Sequence, residues 1–442
     1  MGTYEVITSV SVIVIISYLF NAIAKKTNIP SVLMLIVLGV VIQLLITNKT
    51  DITENLDFQN LLALLGKIGL ILIVLEAALD LELKKEKMGM MLKAFAIAFL
   101  SLLGSVAGIA ALFKMVVFPN SDVFQCIIYA VPLSIMSSAI IIPSVGSLLE
   151  KKKEFMVYES SFSDILGIMF FNYLVKYQGY ESWEKVAGGI TLNLLLTLAV
   201  SVVAGLGLVW LFQKLTGQAK LFLVISVLLL LYVLGHLLHI PSLVIILVFG
   251  LILNNNKRFF KNRFSKFIDP DKLAPVMHDF HTITLESAFL TRTFFFVIFG
   301  ITIELASLVS FEVAVNSFAI VAILLLVRWV FLKIFLLRDI VPELYIAPRG
   351  LITILLFYAI PNGMDDGRYN IEKDLTIAEF DQGILLYVIL ISSIVMAIAL
   401  IKHKGGKITD ALKETLTLSA NKELPAGENL APENESEIEP EN

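Results

Sequence analysis

Long apolar runs recur along almost the whole chain, and they constrain its fold more than any other feature. A helix needs about 20 mainly apolar residues to cross the hydrocarbon core of a bilayer. The chain is 57% hydrophobic and only 16% charged, which is far from the balance of a soluble domain. We therefore predict an all-α polytopic membrane protein with about 13 transmembrane helices, although residues 218–254 can also be divided differently. The predicted spans are 4–24, 30–46, 60–82, 88–118, 123–149, 155–178, 186–213, 218–237, 240–254, 285–308, 312–338, 345–362 and 382–402.

The loops between these spans predict an orientation in the cell membrane. Cytoplasmic loops of multi-pass proteins carry the excess of Lys and Arg. One set of alternate loops is basic, including the long connection 255–284, and the opposite set holds far fewer basic residues. We therefore expect the N-terminus outside and the C-terminus in the cytoplasm. No basic region precedes the first apolar run, and it has no small-residue cleavage pattern. We therefore expect a helix that is retained in the protein and not a cleaved signal peptide. The basic set is Lys25, Lys26, Lys84, Lys85, Lys87, Lys151, Lys152, Lys153, Lys214, Lys220, Lys257, Arg258, Lys261, Arg263, Lys266, Lys402, Lys404 and Lys407.

Three short motifs recur seven spans apart, in the same order. An odd number of spans inverts the orientation, so the two halves resemble the inverted-topology repeats of many secondary transporters. We predict a transmembrane domain over 1–402, with a first repeat at 1–180, a linker helix at 186–213 and a second repeat at 218–402. Residues 403–442 are expected to form a disordered acidic cytoplasmic tail. The motif pairs are Ile29-Pro30-Ser31 with Ile240-Pro241-Ser242, Leu79-Asp80-Leu81 with Ile303-Glu304-Leu305, and Tyr129 to Pro132 with Tyr345 to Pro348.

Spans five and twelve carry the residues of broken helices. Pro132 lies in the first and Pro348 in the second. An interior proline removes a helix hydrogen bond, and interruptions at matching places in two halves indicate a transport site between discontinuous crossing helices. Freed carbonyls and the hydroxyls of Ser137 and Ser138 can then coordinate a cation. Simple proline kinks are the alternative, and the carboxylate of Asp164 on the next span favours the functional reading.

Span six contains two carboxylates, Glu159 and Asp164. Ser160, Ser163 and Gly167 accompany them at helical spacing. An ionisable side chain at bilayer depth costs about 2.5–3.5 kcal/mol, so it faces protein or water and marks a functional site by default. We predict that Asp164 binds the transported ion, whereas snorkelling to the interface stays an alternative for Glu159.

Other charges lie within the predicted spans. Arg292 in span ten can neutralise a buried carboxylate. For Glu76 in span three and Arg328 in span eleven, an interfacial side chain and a role in the pathway are equally compatible with the sequence.

Several classes of protein are excluded by what the chain lacks. A single cysteine, Cys126, rules out an intramolecular disulfide and a cysteine metal cluster. No constellation of nucleophile and base indicates an enzyme. No basic patch with interleaved aromatic residues indicates nucleic-acid binding. We expect no cofactor.

Four motifs in the correct order resemble one family. Glu159-Ser160-x-x-Ser163-Asp164 resembles the Glu-Ser-x-x-Asn-Asp signature of the monovalent cation/proton antiporter superfamily, sodium/proton exchanger type. Leu75 to Leu81 resembles its third-helix pattern, Arg292-Thr-Phe-Phe-Phe its tenth-helix arginine, and Pro348-Arg349-Gly350 its twelfth-helix Arg-Gly. The resemblance covers about residues 1–402.

This resemblance implies a homodimer in the lipid bilayer, each protomer having a dimerisation domain and a six-helix core domain. It implies that Asp164 binds the cation or the proton, with Glu76 and Arg349 in support. It also implies a structural salt bridge between Glu159 and Arg292. Because a cation and a proton compete for one carboxylate, exchange would be obligatory.

Two departures from the family pattern bear on selectivity. Ser163 replaces the usual Asn, and Ser138 stands where many relatives have Asp. One carboxylate with uncharged neighbours predicts electroneutral exchange of one cation for one proton. Na⁺ is the expected cation, and Li⁺ or K⁺ stays open, since a potassium/proton antiporter or a regulated potassium efflux system is the alternative. A channel and a non-transporting sensor are further alternatives.

Overall fold

The computed structural model describes residues 3–27, 29–46, 58–81, 85–177, 199–211, 220–237, 242–255, 270–303, 309–337, 339–360 and 375–422. Described residues up to Leu400 belong to one compact unit, and those from Ile401 onward belong to a second. The domain boundaries predicted from the sequence stay predictions. The last helix is described to Lys422, and the remainder of the predicted tail lies outside the described residues.

The described residues contain helices and no β-strand, and each of the thirteen predicted spans contains a helix. Span five is divided into two helices, α5 and α6. The helices are α1 Thr3–Thr27, α2 Ser31–Ile46, α3 Phe58–Asp80, α4 Met88–Leu112, α5 Val123–Ser134, α6 Ser138–Ser144, α7 Glu150–Tyr177, α8 Ala199–Leu211, α9 Lys220–Leu237, α10 Ser242–Asn254, α11 Pro270–Thr302, α12 Phe311–Leu336, α13 Leu351–Tyr358 and α14 Gly383–Lys422.

Several helix boundaries differ from the sequence prediction. The connection predicted at 255–284 is helical from Pro270, so α11 begins before its apolar stretch. Proline fits the first turn of a helix because its missing N–H needs no partner there. Within the described part of span twelve, the α-helix covers Leu351–Tyr358, and residues 346–350 before it are not helical.

The helices pack in two main groups. In one group, α2 and α3 pack against α11, and α10 packs against α3. In the other group, α5, α7 and α12 pack against α4. Buried apolar side chains fill the space between helices in both groups.

Two glycines mark close crossings in the first group. A Cβ on Gly39 of α2 would lie 2.2 Å from the carbonyl oxygen of Val297 and 2.8 Å from the Cα of Gly300, both on α11. A Cβ on Gly250 of α10 would lie 2.6 Å from the Cβ of Ala78 on α3. Gly39 and Gly250 follow the matching prolines of the predicted repeat by nine residues. The crossings α2–α11 and α10–α3 are therefore the corresponding ones in the two predicted halves.

Two interrupted segments cross each other in the second group. The chain leaves α5 at Ile135 in an extended conformation and enters α6 at Ser138. A 3₁₀ turn at Glu343–Tyr345 leads into the non-helical stretch before α13. The backbone N–H of Ser137 donates to the carbonyl of Pro348 at 2.9 Å. This bond joins the two interruptions that the prolines in the sequence predicted.

Candidate functional site

Asp164 of α7 lies at the crossing of the two interruptions and is buried. Its Oδ2 accepts a hydrogen bond from the backbone N–H of Ser138 at 3.2 Å and another from the Ser138 hydroxyl. Ser138 is the first residue of α6, where backbone N–H groups have no acceptor within the helix. The other oxygen, Oδ1, is buried and has no hydrogen-bond partner among the described residues. Asp164 forms no ion pair within that part of the chain.

Two other residues of the α7 stripe hold the α5–α6 break against the helix. The Ser163 hydroxyl accepts from the backbone N–H of Met136 at 3.0 Å. A Cβ on Gly167 would lie 2.3 Å from the Cδ1 of Ile135, so only glycine admits the extended segment this closely. Together they bring Ser138 within hydrogen-bond distance of Asp164.

The remaining two serines of the predicted site are placed differently. The Ser160 hydroxyl donates to the carbonyl of Val157 on its own helix at 3.2 Å. The Ser137 hydroxyl is buried and has no partner among the described residues. A Cβ on Gly350 would lie 2.8 Å from it, so this hydroxyl faces the second interruption.

The predicted salt bridge between Glu159 and Arg292 is wrong. Glu159 pairs instead with Arg328 of α12, through Nη1 to Oε1 at 2.5 Å and Nη2 to Oε2 at 2.9 Å. Glu159 is fully buried and Arg328 is 3% exposed, so neither side chain snorkels to an interface. The physical reason is the packing: α7 and α12 both pack on α4, whereas α11 packs on α2 and α3.

Arg292 pairs with the buried Glu76 of α3. Its Nη1 donates to Oε2 at 2.7 Å and its Nη2 to Oε1 at 3.4 Å. Sequence reasoning correctly expected Arg292 to neutralise a buried carboxylate, but it chose the wrong one. The role of Arg328 was missed, and its only signal was one cation in the apolar run AILLLVRWVF.

Arg349 caps the broken end of α5. Its Nε donates to the carbonyl of Leu133 at 2.9 Å, and its Nη2 donates to the carbonyl of Ser134 at 3.1 Å. Nη1 donates to the carbonyl of Ala347. The last carbonyls of a helix have no partner within the helix, and leaving them unpaired in a buried place would be costly. The supporting role of Arg349 in ion binding stays a prediction.

The site offers oxygen atoms to a small cation. One oxygen of Asp164 and the Ser137 hydroxyl lie buried at a helix break and have no hydrogen-bond partner among the described residues. Such breaks coordinate Na⁺ and H⁺ in transporters. No group of three or more His, Cys, Asp and Glu side chains able to hold a metal ion occurs in the described residues. A small cavity adjoins the site, lined by Ala98, Ser101, Leu102, Ser105, Ser134, Met136, Ser163, Leu324, Arg328 and Arg349.

Similar proteins were found by sequence profile and by structure. The profile of the family described as "Sodium/hydrogen exchanger, transmembrane" matches residues 11–402. The fold is similar to that of the sodium proton antiporter MjNhaP1 from Methanocaldococcus jannaschii at pH 8, with a TM-score of 0.64 and 18% identity over 91% of this chain and 99% of that chain. A structure of the same antiporter from an electron-microscopy map gives a TM-score of 0.65 and 18% identity, covering 93% of this chain and 98% of that one. No curated protein matches the chain.

The profile match covers most of the 442 residues, and the two structures share the fold over nearly the whole chain. Six of the described apolar segments have the length and composition to cross a membrane. The chain is therefore a multi-pass membrane transporter and not an enzyme. It belongs to the sodium/hydrogen exchanger family.

Proposed function

We propose that the protein exchanges a monovalent cation for protons, with Na⁺ as the first candidate for the cation. Asp164 binds the cation and the proton in turn. The observation that supports this most is the buried Oδ1 of Asp164, which has no partner among the described residues and lies where two helix breaks cross. A proton or a cation can occupy this oxygen, but not both. If the carrier crosses only when loaded, the two fluxes are coupled.

The ion pairs support electroneutral exchange. The other two buried carboxylates of the described spans, Glu76 and Glu159, are each held by an arginine. Ser138 and Ser163 beside Asp164 carry no charge. One carboxylate thus remains to exchange one proton for one monovalent cation.

The packing supports alternating access by a repeat-built transporter. The corresponding crossings α2–α11 and α10–α3 each contain one glycine of the predicted repeat. Movement of one helix group against the other would expose Asp164 to each side in turn.

We further propose a homodimer with the N-terminus outside and the C-terminus in the cytoplasm. Mass photometry in nanodiscs tests the dimer, and labelling of cysteines placed in the loops tests the orientation.

The decisive experiment is transport by Asp164→Asn in vesicles loaded with a pH-sensitive dye. The variant should lose cation-dependent proton movement completely, because an amide neither releases a proton nor neutralises a cation. Glu312→Gln, at an exposed position of α12, is the matched control and should behave as the parent. Exchange by a folded Asp164→Asn protein at near the parent rate would refute the proposal.

Potassium/proton antiport is the second candidate. Ser138 donates a neutral hydroxyl to Asp164 where many relatives have a carboxylate, so the site has less negative charge than it would have with that carboxylate. The same vesicles tested with Na⁺, Li⁺ and K⁺ in turn decide between the two. A lower half-saturating concentration for K⁺ than for Na⁺ would favour this candidate.

A further inference from the structure

Lys152, in the first turn of α7, is bound entirely by the connection between α12 and α13. An ammonium group has three N–H donors. Here Nζ lies 2.8 Å from Oδ1 of Asp339, 2.7 Å from the carbonyl oxygen of Val341 and 2.9 Å from Oε2 of Glu343. The Lys152 side chain is 13% exposed and that of Glu343 is 4% exposed. All three donors are thus satisfied by one short segment, with the buried Glu343 on one side and the 75% exposed Asp339 on the other.

Glu343 also links this contact to the buried ion pair. Its backbone carbonyl accepts from Nε of Arg328 at 3.0 Å and from Nη2 at 2.9 Å. The same guanidinium binds Glu159. Lys152 and Glu159 are seven residues apart on α7, so they lie on one face about two turns from each other. The connection therefore contacts α7 directly at Lys152, and about two turns further along it is linked to Glu159 through Arg328.

This connection continues directly into the second interruption. A few residues after Glu343, the Pro348 carbonyl accepts from the N–H of Ser137. Arg349, the next residue, caps α5. One segment thus contacts the helix that carries Asp164 and also the break that carries its hydrogen-bond donor.

We propose that Lys152 is a positioning residue for the Asp164 site, acting through the connection between α12 and α13. This proposal rests on the proposed function, in which Asp164 and its surroundings bind the transported cation. Loss of the contact lets the second interruption shift relative to α7, and Ser137 and Ser138 shift with it. The neighbouring Lys153 provides the contrast, because it pairs with Glu150 on the same helix at 3.9 Å, and the two side chains are 41% and 73% exposed.

The test compares Lys152→Met, Glu343→Gln and the control Lys153→Met in vesicles with the pH-sensitive dye. Misplacing a binding group by about 1 Å can cost up to about 100-fold in rate or affinity, so we expect the half-saturating cation concentration to rise about tenfold in the first two variants. The maximal rate should stay within about twofold, since Asp164 itself is intact. In Glu343→Gln, Lys152 keeps its contacts with Asp339 and Val341. This milder variant replaces Lys152→Met in the test if Lys152→Met does not fold.

Amide hydrogen exchange supplies a readout that does not depend on transport. In Lys152→Met, peptides covering 133–140 and 346–352 should exchange faster, while peptides covering the α2–α11 crossing should exchange as in Lys153→Met. If the parent protein moves no cation at all, the proposed function fails, yet faster exchange confined to these peptides still supports the positioning contact. An unchanged half-saturating concentration in folded Lys152→Met, or an equal rise in Lys153→Met, overturns the inference.

Discussion

At the scale of single residues, the protein treats its buried carboxylates in two ways. Glu76 and Glu159 are each paired with a guanidinium and Glu343 is paired with Lys152, whereas Asp164 is bound only by Ser138 through one oxygen in the described structure. A buried charge that is paired and hydrogen-bonded is stable and chemically quiet, but an incompletely bonded one is costly. The cost is consistent with a group that has to bind and release an ion.

We expect Glu159→Gln and Arg328→Gln each to lower the free energy of unfolding by about 3–5 kcal/mol, because each leaves its partner buried and uncompensated. The double variant should lose clearly less than the sum. Thermal unfolding in detergent measures all three.

The double variant that combines Glu159→Gln with Arg292→Gln is the matched control. These residues do not pair, so their effects should add within about 0.5 kcal/mol. Additive losses for Glu159 and Arg328 would contradict the ion pair between them.

At the scale of helices, the site depends on a break that packs against an intact helix. The α5–α6 break reaches Asp164 because Gly167 leaves room for Ile135 and because Ser163 accepts from Met136. Arg349 keeps the end of α5 hydrogen-bonded at the same place. The interruption is thus an ordered part of the structure, in which the lost helix bonds are replaced.

Gly167→Ala should displace Ile135, since the new Cβ would lie 2.3 Å from its Cγ1 and Cδ1. Overpacking of this kind costs about 1–3 kcal/mol of stability. The half-saturating cation concentration should rise as well, because Ser138 moves with the break. Thermal unfolding and vesicle transport measure the two effects.

Adding Ile135→Ala to Gly167→Ala restores the space and should recover most of both losses. Gly207→Ala is the control, because a Cβ there meets nothing within 4 Å. A Gly167→Ala protein with the stability and transport of the parent would show that this close approach is unimportant.

At the scale of the whole molecule, the pairing of charges decides whether transport moves net charge. Only Asp164 among the buried carboxylates of the described spans is free of an arginine. Under the proposed function, each half-cycle would carry either one proton or one monovalent cation on the same group. The electrical charge that crosses would then be equal in both directions.

We therefore expect a clamped membrane potential to leave the exchange equilibrium unchanged. A potential of 100 mV is worth about 2.3 kcal/mol for each net charge moved, so a charge imbalance would be readily visible. The measurement is the equilibrium pH gradient in dye-loaded vesicles with and without a potassium diffusion potential, using Na⁺ as the exchanged cation. A shift of that gradient with voltage would show net charge movement, and Glu76 would be the first residue to mutate.

The apolar runs and motifs of the sequence were enough to predict a helix in each of the thirteen spans, the interruptions near Pro132 and Pro348, and the burial of Asp164. These features are local, because span length, proline and a charge in an apolar run act within one helix. The pairing of arginines with glutamates was not predictable in this way. Arg292 and Arg328 look alike along the sequence, and only the packing of α11 on α3 and of α12 near α7 assigns each to its carboxylate. The contact of Ser137 with Pro348 is likewise decided by tertiary structure, because it joins residues more than 200 positions apart that only the assembled helices bring together.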